Sequence, residues 1–360
     1  MLYQIIQTKA LEKHPKDSNG LVPFHYAAQN GHLEVCEVNM ENLEDKNPGD
    51  NDGNTPFHKA SGNGHLEVCE LIMEKLENKN PGDNAGCTPL HVAATNGYIK
   101  ICKLIRENLD NMNPGDNGGW TPLHTAALCG QIEICKLFME DLINKNPGDN
   151  NATTPLHAAA VRGHIEIFKL ISGDLDNKNP ENNFGWTPFL VAASKGHVKL
   201  CQLIMKDLEN KNPSQNDGWT PLHKAAEKGH LEVCKLILKN TLDKEPKTND
   251  GKTPAGLAAD YGHYDVTLLI INSLMKNRSE HGQNEKGQTE IGQNVVGQNA
   301  TGQNVMGQNV VGQNIISESK KLTKIDWPKC PGPKCVFGKM RLSQLENMYG
   351  LFSKITKIFF

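Results

Sequence analysis

One spacing constrains this chain more than any other feature. His25, His58, His91, His124 and His157 stand 33 residues apart; Leu190 keeps the register without the histidine, His223 restores it, and Gly256 closes the series. Prolines from Pro23 to Pro254 and glycines from Gly31 to Gly262 keep the same frame through eight units, with no insertion or deletion. A period of this length marks a supersecondary unit too small to bury its own apolar face. Such units become stable only by stacking on their neighbours.

Each unit reads the same way. A Thr-Pro pair such as Thr121-Pro122 opens a helix, since threonine can cap free N–H groups and proline suits the first turn. The short helix LHTAALC holds Ala126 and Ala127 where a neighbour must come close, and Gly130 ends it in a left-handed conformation. A second helix follows in QIEICKLFMEDL, with Ile132, Ile134, Cys135, Leu137, Phe138 and Leu142 at helical spacing. KNPGDNGGW then reads as a turn or hairpin.

With TPLH at the head of the first helix, a 33-residue period and two helices per unit, the chain resembles the ankyrin-repeat family over residues 20–275. The resemblance implies an all-α fold: a solenoid of stacked helix pairs with projecting hairpin loops, followed by a disordered low-complexity tail. The expected domains are a partial repeat or cap at 1–19, the array at 20–276, a GQN-rich linker at 277–317 and a basic tail at 318–360. Residues 2–17 align with the second-helix half of the next unit, so the chain reads either as capped there or as a fragment of a longer array, with the fragment preferred.

Twelve of the fourteen histidines occupy two repeat positions, which spreads them along the stack rather than gathering them. A catalytic or metal site needs convergence, so they read as structural, as the resemblance also implies for the TPLH histidine. Cys36, Cys69, Cys102, Cys135, Cys201 and Cys234 share one second-helix position, filled elsewhere by Phe168 and Thr267. Packed helices lie ~8–10 Å apart, and a disulfide needs Cα atoms within ~7 Å. These cysteines therefore read as free, buried packing residues of a reduced, intracellular protein. Cys87 and Cys129 lie off the column and read as exposed variable positions. Phosphate-binding, dinucleotide, zinc-protease and nucleophile-elbow motifs are absent. Cys330 and Cys335 form a lone CxxxxC that would need two further zinc ligands. The chain is expected to be no enzyme and to use no cofactor.

Function then falls to binding. The resemblance implies a concave face of loop tips and first helices for a protein partner. Trp120, Trp186 and Trp219 precede Thr-Pro in three units and are either interface anchors or packing across the adjacent loop. Leu128, Cys129, Arg162, Lys195 and Lys228 are the first-helix candidates beside them, and their mixed character gives no basic stripe for nucleic acid. Asn47, Asn80, Asn113, Asn146, Asn179 and Asn212 align with loop asparagines hydroxylated in some family members, though Asn-Pro is also ordinary turn chemistry. Asn39 stands at a packing position and marks the first full repeat as a frayed end.

Residues 318–360 hold nine Lys and Arg against three Asp and Glu, a balance of +6 that leaves −9 for the rest of a chain whose net charge is −3. Their last stretch places Leu342, Leu345, Met348, Tyr349, Phe352, Ile355 and Phe359 at helical spacing, suited to a membrane surface, a partner groove or a fold-back onto the array. The GQN-rich segment reads as disordered, with a β-assembly as the alternative. The expected molecule is a monomeric scaffold. Its alternatives are a substrate-recognition adaptor, as in a ubiquitin ligase, or the cytosolic ankyrin part of a larger membrane or signalling protein.

Overall fold

A computed structural model describes residues 16–286 except 174, with side chains through 276. Among these residues sixteen helices form eight consecutive pairs, and no strand occurs. The first helices are α1 (Pro23–Asn30), α3 (Pro56–Asn63), α5 (Pro89–Asn96), α7 (Pro122–Cys129), α9 (Pro155–Arg162), α11 (Pro188–Ser194), α13 (Pro221–Glu227) and α15 (Pro254–Asp260). The second helices are α2 (Leu33–Asn42), α4 (Leu66–Lys75), α6 (Ile99–Arg106), α8 (Ile132–Met139), α10 (Ile165–Ser172), α12 (Val198–Asp207), α14 (Leu231–Asn240) and α16 (Tyr264–Lys286). Repeats one to eight are these pairs in order. Helix α16 runs past residue 276, where no Asn-Pro loop follows to stop it. The expectations for residues 1–15 and 287–360, including the basic tail and its helix, fall outside the described residues.

The first helices begin in a way the Thr-Pro pattern does not disclose. His58 Nδ1 accepts from the Thr55 backbone N–H at 3.1 Å and from its hydroxyl at 2.9 Å. Nε2 of the same ring faces the Cys87 carbonyl of the next repeat at 2.9 Å, and an acceptor there requires that Nε2 carry the proton. Thr88, Thr121, Thr154 and Thr220 pair with their histidines alike. Only where the histidine is lost is the threonine hydroxyl left wholly to the helix, accepting from Leu190 N at 3.2 Å and Gly256 N at 3.1 Å. A second cap comes from ten residues upstream. Asn47 Oδ1 accepts from Phe57 N at 3.1 Å, and Asn80, Asn113, Asn146, Asn179 and Asn212 repeat that bond.

Glycine ends each first helix with φ between 73° and 85°. The position is tight as well as left-handed: a Cβ on Gly130 would lie 2.9 Å from the His164 ring of the next repeat. That ring reaches back to the Leu128 carbonyl at 3.1 Å, and His65, His197, His230 and His263 do the same to the repeat before each. Repeats two, five and seven are thus tied forward by one histidine and backward by another.

Ala60, Ala93, Ala126, Ala159, Ala192 and Ala225 are wholly buried. These small residues let the first helices of neighbouring repeats pack closely against one another. The cysteine column lies in the core, and Phe168 fills it at 2% exposure. Asn39 is also buried and satisfies itself, its amide donating to the Val35 carbonyl at 2.7 Å.

The boundary between repeats six and seven is built differently. Leu190 cannot bond the Trp219 carbonyl as histidine does elsewhere. The loop asparagines Asn51, Asn84, Asn117, Asn150, Asn183 and Asn249 each donate an amide to the previous loop, at 3.0–3.4 Å. Asn216 makes no such bond among the described residues; the Gln215 amide takes the Phe184 carbonyl instead, at 3.5 Å. Leu190→His should restore one inter-repeat bond and strengthen this boundary by about 1 kcal/mol. Slower amide exchange in α13 checks it, and unchanged or faster exchange would show that the space of Leu190, 1% exposed, is committed to packing.

Candidate functional site

The three tryptophans lie on the first-helix side and are half-buried. Trp120 covers the His124 ring at 4.7 Å between centroids, and its indole N–H donates to Thr125 Oγ1 at 3.1 Å. Trp219 lies 5.7 Å from the His223 ring. Trp120 and Trp219 therefore pack on their own repeats, and all three tryptophans keep part of their surface exposed to solvent.

Lys224 joins two of them. Its ammonium sits 3.7 Å from the Trp219 ring centroid and 5.1 Å from that of Trp186, spanning the repeat six–seven boundary. Burial pushes its pKa down, and Glu227, at 3.4 Å, works against that shift. Glu227 also pairs with Lys228 at 2.7 Å. Lys224 was not singled out from sequence; its only signal is its place directly after TPLH, which Lys59 shares.

The other candidates lie at the C-terminal ends of the first helices of repeats four to seven. Leu128 is half-buried, and Cys129, Arg162, Lys195 and Lys228 are exposed. Arg162, Lys195 and Lys228 occupy one repeat position at the C-terminal ends of α9, α11 and α13. Arg162 and Lys195 make no ion pair or hydrogen bond among the described residues. In repeats one to three that position holds Asn30, Asn63 and Asn96, whose amides bond carbonyls of their own helices at 2.7–3.0 Å.

The histidines and cysteines do not converge. Among the described residues no group of three or more His, Cys, Asp or Glu could hold a metal. Burial pushes His91 and His157 down to about 4 and His124 to about 3, so they stay neutral and structural. The column cysteines are free and buried, their thiols pushed up to about 12 by burial, which leaves them unreactive. Cys129 is exposed as expected, but Cys87 is half-buried, closed in beside the loop turn of its own repeat.

A separate open cleft lies between the second helices α10, α12 and α14, lined by Ile165, Leu203, Lys169, Lys199, Lys206 and Lys211 among others. Two of these lysines are tied down: Lys169 pairs with Glu166 at 2.9 Å, and Lys211 donates to the Met205 carbonyl at 2.6 Å. None of the sequence-derived candidates lines it. No described helix is long and apolar enough to cross a membrane.

Comparison with protein families matches a model described as ankyrin repeats (3 copies) to residues 24–116, 108–180, 172–248 and 191–285. Comparison with curated proteins gives no match.

Proposed function

The chain belongs to the ankyrin-repeat family, and on that premise we propose that it is a non-enzymatic, monomeric, intracellular scaffold holding a protein partner against its first-helix face. Ankyrin repeats are generally protein–protein interaction modules. One observation carries the reading. Most periodic polar groups of the array are consumed by bonds within and between repeats, whereas Trp120, Leu128, Trp186, Trp219, Arg162 and Lys195 keep free surface on a single face. Partly exposed tryptophan beside arginine is the composition of interface hot spots. Nothing about this face calls for nucleic acid or a cofactor.

Affinity capture with the full chain tests this, comparing the unaltered protein with a Trp120→Ala, Trp186→Ala, Trp219→Ala triple variant and with a 1–276 truncation. Hot-spot tryptophans contribute ~2 kcal/mol or more each, so partners should be lost from the triple variant while its helical signal is kept. Partners that survive the triple variant and vanish on truncation would place the function in the tail and overturn the reading.

A further inference from the structure

We propose that the first-helix face of repeats five to seven binds an extended, acidic protein segment carrying carboxylates at about every third residue. The inference rests on the functional reading above and adds the chemistry of the partner.

Four cations gather there. Arg162, Lys195 and Lys228 form a row at one position of consecutive repeats, and Lys224 lies inward of it on the two tryptophans. Glu227 faces them and, with Asp217 near Lys224, neutralises part of the charge. Arg162 and Lys195 are exposed, and their side chains make no ion pair or hydrogen bond among the described residues. The first three repeats show that this helix end does not need a cation, since asparagine serves there and bonds its own helix.

The loop row changes in the same repeats. Asp50, Asp83, Asp116 and Asp149 occupy its inner position in repeats two to five; Asn182, Gln215 and Thr248 replace them in six to eight. Only the loop tip of repeat six, residues 182–185, thereby loses every carboxylate, one repeat after the basic row begins at Arg162. Asp217 and Asp250 remain in these loops, one accepting from the Trp219 N–H at 3.1 Å and the other paired with Lys252 at 3.0 Å. Lys59, the earlier counterpart of Lys224, is instead paired with Asp50 at 3.4 Å. The unpaired positive charge of the face therefore lies at Arg162 and Lys195, in the two repeats before that of Lys224.

Spacing sets the form of the partner. Packed helices lie ~8–10 Å apart, and a chain extended as polyproline II rises ~3.1 Å per residue with about three residues per turn, so that every third side chain faces the same way. One repeat then matches about three residues, and three cations match acids at positions i, i+3 and i+6. Apolar residues between them would lie on Trp186, Leu128 and Val161, all half-buried.

Fluorescence polarisation with the full chain tests this, using labelled synthetic peptides of about twelve residues. One carries glutamate at every third position among leucine and alanine. A second has the same composition with its glutamates contiguous, a third replaces glutamate by lysine, and an oligothymidine serves as the nucleic-acid control. The every-third peptide should bind most tightly. Its affinity should fall about tenfold or more in an Arg162→Glu, Lys195→Glu variant, and also as salt rises from about 50 to about 300 mM. Equal binding of the contiguous peptide, stronger binding of the lysine peptide or the oligonucleotide, indifference to the charge variant, or no peptide binding would each overturn the proposal. Partners captured through the tryptophans but insensitive to the charge variant would leave the scaffold reading standing and remove only the acidic partner.

Discussion

Lowering the pH from 7 to 5 is expected to remove about 6 kcal/mol of stability from the array, through His91, His124 and His157 alone. Each ring is stripped of water, which pushes its folded pKa to about 4, 3 and 4, against the opposing pull of the carbonyl each one bonds. In the unfolded chain the same rings titrate near ~6.5. As pH falls through that value the unfolded state takes up protons that the folded state refuses, so the folded state loses ground. The contribution is fully present above ~6.5 and is lost down to about 4, at ~1.4 kcal/mol per histidine per pH unit. His25, His58 and His223 are lowered for the same reason and add to the loss. Asp116 and Asp149, raised by burial, act the other way and offset part of the loss. Typical domains hold ~5–15 kcal/mol in total, so the array should approach unfolding near pH 5. Urea midpoints at pH 7, 6 and 5 check this. A constant midpoint would mean that the rings protonate within the fold and that the bonds their Nδ1 atoms accept from threonine are dispensable.

The sixth repeat is exempt from that titration, because Leu190 carries no proton, and this difference was visible in the bare sequence. So were the stack, its register, the structural role of the histidines and the packing role of the cysteines, with Phe168 as the clue that the column is apolar. The partners of those residues were not visible. A periodic sequence gives every column the same spacing, so a bond across 29 residues looks no different from one across 33 or 36. The threonine was expected to cap the helix; the structure gives the ring of His58 and the distant amide of Asn47 the larger part of that work. The place of the tryptophans before Thr-Pro was legible, but what covers each one was not: His124 and Thr125 for Trp120, Lys224 for Trp186 and Trp219. Lys224 over Trp186 belongs to that class of fact.

A second large effect is expected at Phe138. Its column holds Ile72, Ile105, Ile171, Ile204 and Ile237 in other repeats, and Phe138 itself is wholly buried. Phe138→Ala should cost ~3–5 kcal/mol from lost burial and the cavity left behind. The site adds a further cost. Arg106 stands where Met40, Met73, Met139 and Met205 stand elsewhere, is 5% exposed, and its guanidinium lies 5.0 Å from the Phe138 ring centroid. Its Nη2 reaches Asp141 of the next repeat at 2.9 Å, while Nε has no partner among the described residues. Removing the ring takes away the aromatic platform of a buried charge, worth up to ~2 kcal/mol. Arg106→Met should therefore lessen the cost of Phe138→Ala, an interaction that a double-mutant cycle reads directly. Because repeats are stabilised by their nearest neighbours, weakening the fourth should uncouple the two flanks. Unfolding should then split from one transition into two, with the earliest amide exchange in α7 and α8. A single transition shifted as a whole would show that coupling across the array exceeds what nearest-neighbour packing supplies, and an additive cycle would show that Arg106 gains nothing from the ring.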